Sequence, residues 1–138
     1  TPLVSSPSAG AFTVAFRNSR RGIVGGGDLD PADPNNARTA TSSDGGRSWT
    51  LTNAPPVTGA IFGLSYAYKI GDDFQRADEE FARTVVVTAN TGGAAWTPDE
   101  GDKWYPLTGV TGFWAVGFAS PKAGWLVGVN GTILKIQF

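Results

Sequence analysis

Hydrophobic and polar residues alternate along much of this chain with a period of two. In "AFTVAF" (Ala11 to Phe16) the alternation sets Phe12, Val14 and Phe16 on one face. In "FWAVGF" (Phe113 to Phe118) it does the same for Trp114, Val116 and Phe118. Such segments read as half-buried β-strands. One stretch breaks the pattern. In "KIGDDFQRADEEFAR" (Lys69 to Arg83), Phe74, Ala77 and Phe81 follow helical spacing. Asp72 or Asp73 is placed to cap its start and Arg83 suits its end, so about two turns of helix are expected there.

The strands recur. Laying Phe12 on Trp114 sets "GAFTVAFRNSRRGIVGGGD" over "GFWAVGFASPKAGWLVGVN". Gly10, Val14, Phe16, Gly22 and Gly26 then meet Gly112, Val116, Phe118, Gly124 and Gly128. Internal repetition at roughly 50 residues points to a propeller or solenoid. The unit reads as four antiparallel strands. In the first copy (11–53) these are Ala11–Phe16, Gly22–Gly27, Arg38–Ser43 and Ser48–Asn53. In the second (61–107) they are Ile61–Ala67, Thr84–Ala89, Ala94–Pro98 and Lys103–Leu107. The third (113–138) has Phe113–Phe118, Trp125–Val129 and Thr132–Phe138. There Phe138 takes the register of Asp44, so a fourth strand is expected from elsewhere. Thr1 to Val4 is expected to be the outer strand of a preceding unit. Trp114 and Trp125 repeat Phe12 and Ile23, and both are expected to pack between units. Two insertions interrupt the repeat: Asp28 to Asn36, and Lys69 to Arg83.

Composition narrows the chemistry. The formal charge of −1 over 138 residues builds no field for nucleic acid or an anionic membrane. With no Cys, disulfides and zinc–sulfur sites are excluded. With no His, the usual general base and the Ser-His-Asp triad are excluded too. No apolar run approaches the ~18 residues of a membrane span, and none of the given residues is expected to be a signal peptide. The chain also lacks a Met, and it is read as a processed product or the later part of a longer chain. The 19 Gly and 9 Pro fit short strands joined by many turns. No cofactor is expected.

The turns carry a motif of their own. "SSDGGRSW" (Ser42 to Trp49) and "TPDEGDKW" (Thr97 to Trp104) both fit Ser/Thr-x-Asp-x-Gly-x-x-Trp. An Asp carboxylate in a hairpin turn accepts backbone N–H groups that no strand satisfies, and Gly46 or Gly101 takes positive φ. The hydroxyl adds a local bond and the Trp opens the next strand. "SSDGGRSW" resembles the Asp-box of sialidase-type, or BNR, β-propellers at every defined position. "TPDEGDKW" departs only at Lys103, where Ser or Thr is usual, which implies a looser turn. "GWLVGVNGTILKI" (Gly124 to Ile136) is similar to a phrase of photosystem II stability/assembly factor-like propellers. The resemblance implies an all-β fold: a partial β-propeller of about three four-stranded antiparallel blades, the last incomplete. It further implies a structural role for Ser42, Asp44, Gly46, Trp49, Thr97, Asp99, Gly101 and Trp104, on the face opposite the ligand site. The Asp28–Asn36 loop then belongs on the ligand face and the Lys69–Arg83 insert on the Asp-box face.

Candidate sites follow from that placement. Asp28, Asp30, Asp33 and Asn35 make an oxygen-rich loop. Its spacing fails as an EF-hand, with Ala32 at position 5, Asp33 at 6 and Thr39 at 12, so no metal is assigned. "GGG" at Gly25–Gly27 lacks the spacing, the Lys and the following helix of a phosphate loop. Asp78, Glu79 and Glu80 offer paired carboxylates but read as a solvated face on the wrong side. Arg38 is the first choice for a ligand-facing cation, against a surface Arg paired with a nearby Asp. No catalytic residue is identified.

Three blades cannot close a ring. Open arc ends expose apolar faces and strand edges, so the expected partner is a missing propeller half or a second copy of the chain, a homodimer. The resemblance implies a non-catalytic binding or assembly module that recognises a protein or peptide on the loop face. The alternative is a portion of a secreted glycan-active hydrolase, with catalytic residues mostly outside this chain and a glycan as ligand. Neither nucleic acid nor membrane insertion is expected. An extracytoplasmic location, periplasmic or secreted, follows from the resemblance alone.

Overall fold

The computed structural model describes residues 1–30, 37–67 and 80–138, and in them the two-residue alternation forms three antiparallel sheets. The first holds β1 (Ala9–Phe16), β2 (Gly22–Asp28), β3 (Thr39–Ser42) and β4 (Thr50–Leu51). The second holds β5 (Gly63–Tyr66), β6 (Val85–Thr88), β7 (Ala94–Thr97) and β8 (Tyr105–Pro106). The third holds β9 (Phe113–Ser120), β10 (Ala123–Gly128) and β11 (Ile133–Ile136). Each sheet is a meander, its strands paired in chain order. Strand β5 lies against both β1 and β9, so the first strands of the three sheets gather together and the last strands lie outermost.

Every strand expected from the alternation is present. The outer strands are shorter than expected because the preceding turns consume their first residues. Ser48 N–H, for example, is already bonded to Asp44 before β4 begins. Thr1–Val4 forms no regular strand. Instead Leu3 packs on Val24 and Ala40 of sheet 1, with Trp49 alongside. The helix expected over Lys69–Arg83 falls largely on 68–79, outside the described residues.

The core lies between sheets rather than within one. Ile23 of sheet 1 meets Ile61, Leu64, Val85, Val87 and Ala95. On the other side Ala94 joins Phe113 and Leu126 of sheet 3. Val85, Val86 and Val87 are all fully buried, because β6 has a neighbouring sheet on each face. A strand covered on both sides reads as a continuous apolar run, not an alternating one.

The repeated glycines have a packing reason. A β-carbon on Gly26 would lie 2.0 Å from the carbonyl oxygen of Gly10, and one on Gly128 would lie 2.0 Å from that of Gly112. Gly22 and Gly124 sit beneath the rings of Phe16 and Phe118 in the same way. The identities between the two copies therefore mark places where one strand's backbone or ring occupies the space of another's side chain.

The two tryptophans differ from expectation. Trp125 occupies the register of Ile23, yet it is 41% exposed while Ile23 is fully buried. Sheet 2 covers that face of sheet 1, whereas no described residue covers it on sheet 3. Trp114 is 45% exposed and lies edge-on to Phe62, beside the gathered inner strands rather than between sheets.

One substitution made at two sites separates these environments. Ile23→Ala is expected to cost about 2–5 kcal/mol in denaturant unfolding, as a buried truncation does. Ile133→Ala, at a residue 68% exposed on the open sheet, is expected to cost under about 1 kcal/mol. Equal costs would show that the third sheet is covered in solution.

Candidate functional site

The two turn motifs spend their polar groups on themselves. Ser42 Oγ accepts the Gly46 N–H at 2.8 Å and donates to Asp44 Oδ1 at 2.9 Å. Asp44 also accepts the Ser48 N–H at 2.9 Å and the Ser48 hydroxyl at 2.5 Å. The Ser48 hydroxyl, then its N–H and the Ser42 hydroxyl, hold the Asp44 carboxyl down at about 2, from an ordinary 3.8. In the second turn Thr97 Oγ1 accepts the Gly101 N–H at 2.9 Å and donates to Asp99 at 2.9 Å, and Asp99 accepts the Lys103 N–H at 2.8 Å. Lys103 brings no hydroxyl, so Asp99 has no counterpart to the Ser48 hydroxyl bond. Gly46 and Gly101 both take positive φ, 89° and 99°.

The indoles are used differently. Trp49 Nε1 donates to Gly46 O of its own turn at 3.1 Å, whereas Trp104 Nε1 reaches Asn53 O at the end of sheet 1, at 2.8 Å. Asn53 Nδ2 returns a bond to Asp102 O at 2.7 Å. The second turn is thereby latched to the first sheet.

Beside this latch lies an ionic cluster that the sequence did not announce. Glu100 Oε1 accepts Arg17 Nε at 2.7 Å and the Tyr66 hydroxyl at 2.8 Å, while Oε2 faces Arg83 Nε at 3.3 Å. Burial alone would raise the Glu100 carboxyl, but Arg17, Tyr66 and Arg83 outweigh it and the net shift is downward. Burial, with the Glu100 charge second, pushes the Tyr66 phenol up. Tyr66 is buried and its hydroxyl donates to Glu100. The cluster joins the ends of sheets 1 and 2. Its members are far apart in sequence and share no motif, so no local signal marks them.

The opposite end of the same seam is open. A cleft of about 280 Å³ lies among Asp28 and Asp30 after β2, the 58–60 connection between sheets, and the 90–92 turn after β6. The loop after a second strand and the connection between sheets thus line one cavity. Asp28 Oδ1 accepts the Ser8 hydroxyl at 2.7 Å and the Asp30 N–H at 2.9 Å, and these bonds, the hydroxyl foremost, keep its carboxyl below the usual range. Asp33 and Asn35 lie outside the described residues.

Arg38 does not face a ligand. It is 7% exposed, and its guanidinium donates to the carbonyls of Val57 and Gly59, both at 2.7 Å, and of Pro55 at 3.0 Å. Its place at the start of β3 carries the side chain under the connection, where three carbonyls without strand partners claim it. Burial lowers its pKa. Arg38 positions the cleft wall and offers no free cation.

Phe62 lines the cleft and begins a row of rings. It stacks on Phe12 with centroids 5.8 Å apart and planes 7° apart, and meets Trp114 edge-on at 5.1 Å. Each sheet gives one ring, from its inner strand or the residue just before it. Extending the sequence overlay of Phe12 and Trp114 to the second copy would have found Phe62.

Three meandering sheets with their first strands gathered define part of a β-propeller, and the sheets are its blades. No protein-family model matches the chain, and no curated protein matches its sequence. Among solved structures it is similar to YCF48 bound to D1 peptide, with a TM-score of 0.64 and 14% identity over 98% of this chain. The chain spans about 40% of the length of that protein. At this identity the likeness establishes the fold.

The turn carboxylates fix the response to acid. Asp44 and Glu100 both have folded values below their unfolded ones, so the stability they contribute is full above about pH 4.5 and is lost as pH falls through the folded values. The melting temperature is expected to drop on acidification toward pH 2. Asp44→Asn should lower it at neutral pH and flatten the part of the drop between about pH 4 and 2. An unchanged acid limb would mean that Asp44 carries no linkage.

Proposed function

We propose that this chain is the ligand-bearing part of a non-catalytic Asp-box β-propeller that binds a protein or peptide on its loop face. The cleft between blades 1 and 2, continuous with an exposed aromatic ring, carries the reading. It is concave, its backbone wall is pinned by Arg38, and it joins polar loops to apolar surface, as ligand sites do. The likeness to YCF48, solved with a D1 peptide, supports a peptide as ligand class. The bonding of the two Ser/Thr-x-Asp-x-Gly-x-x-Trp turns supports reading them as Asp-boxes with a structural role.

The ring is completed by blade-like sheets from outside this chain. Val14 on one end, and Trp125, Val127 and Ile133 on the other, are exposed where a neighbouring blade buries their counterparts. A second copy supplies both contacts if blade 3 of each chain meets blade 1 of the other, and a missing propeller half supplies them equally. The resemblance to propellers that are often exported supports a place for this one outside the cytoplasm.

Three measurements check this reading. A displayed peptide library should yield binders to the wild-type chain whose affinity falls about tenfold or more in Phe62→Ala, the loss of one anchoring ring, and is unchanged in Lys122→Ala. Hydrolysis of chromogenic glycosides that disappears in Asp28→Asn would overturn the binding reading in favour of a hydrolase. Light scattering should give twice the 14.4 kDa chain mass if a second copy closes the ring. A cooperatively folding monomer that accepts no added propeller half would count against ring closure.

A further inference from the structure

The loop-face cleft and the aromatic row meet at Phe62, and together they narrow the ligand. The carboxylate of Asp28 is held from one side only. Both of its bonds, from the Ser8 hydroxyl and the Asp30 N–H, fall on Oδ1, so Oδ2 has no partner among the described residues. Asp28 lines a cleft in which no described lining residue is cationic. Arg38, under the same connection, is committed to the carbonyls of Pro55, Val57 and Gly59. The cleft is therefore negative in sign and open to a cation. Its apolar wall is a ring, and beyond that ring Trp114 leaves 45% of its surface in solvent. Aromatic faces attract cations and cover apolar side chains.

Resting on the peptide-binding reading above, we infer that this face selects an extended, basic–aromatic peptide segment: a Lys or Arg side chain beside Asp28, and a neighbouring aromatic or aliphatic side chain on Phe62 and Trp114. Peptide backbone groups have the exposed polar rim to bond, since Asn90, Thr91 and Thr58 edge the same cleft. An acidic segment would meet Asp28 without compensation. A purely apolar one would leave the carboxylate unpaired while taking water from it.

The test uses fluorescein-labelled peptides Ala-Lys-Phe-Ala-Lys-Phe-Ala, its Glu-for-Lys counterpart and its Ala-for-Phe counterpart, read by anisotropy on the whole chain. The Lys–Phe peptide should bind about threefold to fivefold tighter than the Glu–Phe peptide at low salt, the range an exposed ion pair supports. That preference should shrink as salt rises past the Debye screening of about 0.1 M. Asp28→Asn keeps the Oδ1 acceptor and should erase the preference while leaving the melting temperature close to wild type. Trp114→Ala should weaken both Phe-containing peptides alike, and it serves if Phe62→Ala fails to fold. Equal binding of the Lys and Glu peptides, a preference that survives Asp28→Asn, or no binding by any of the three would overturn the inference. Library peptides that are neutral or acidic, yet still lose affinity in Phe62→Ala, would overturn the charge selection while leaving the peptide-binding reading in place. A library with no binders would remove both.

Discussion

The structure depends on apolar burial between sheets. The largest buried cluster lies between blades: Ile23, Ile61, Leu64 and the valines of β6 are buried where another sheet lies on them. The burial is non-directional and does not fix how the sheets meet. Directional bonds do that at both ends of the seam between blades 1 and 2. At the turn end Glu100 ties Arg17 to Tyr66, and Asn53 exchanges bonds with the neighbouring turn. At the loop end Arg38 holds three carbonyls of the connection. Apolar area supplies the association, and charge-assisted bonds supply the register.

These bonds also sort the polar residues into two populations. Asp44, Glu100, Arg17 and Tyr66 are engaged in bonds within the protein, and Arg38 gives its terminal nitrogens to three carbonyls. Asp28 is only half satisfied and borders open space. Partnering and place, rather than residue type, set Asp28 at the cleft apart from the carboxylates engaged in the turns. A search by residue type alone finds many candidates for catalysis and cannot tell them apart, because the distinction lies in which partners each group already has.

Much of the fold was legible in the sequence, and for stated reasons. Alternation marked the strands, and recurrence of Gly10, Gly22 and Gly26 as Gly112, Gly124 and Gly128 marked the repeat, since backbone contacts there admit no side chain. The turns were legible because their bonding partners lie within eight consecutive residues. The site was less so. Asp28 and Asp30 were read as part of a ligand-face loop, but Arg38 was assigned outward when it turns inward, because the carbonyls that claim it belong to a connection 17 to 21 residues away. Glu100 and Tyr66 were missed for the same reason, 34 residues apart in the chain and 2.8 Å apart in space. The exposure of Trp114 and Trp125 depends on what lies beside them, which periodicity does not encode.

The grip of Arg38 on the connection has a consequence for how such a surface changes over generations. The backbone of one cleft wall is set by a single buried guanidinium and not by the side chains that look into the opening. Positions 58 and 62 can therefore exchange their side chains while the wall behind them keeps its course. Frame and reader are separate parts, and the reader can drift toward new ligands at little cost to the frame. A lineage that lost the arginine would surrender that freedom, since each new side chain would then also have to hold the loop in place.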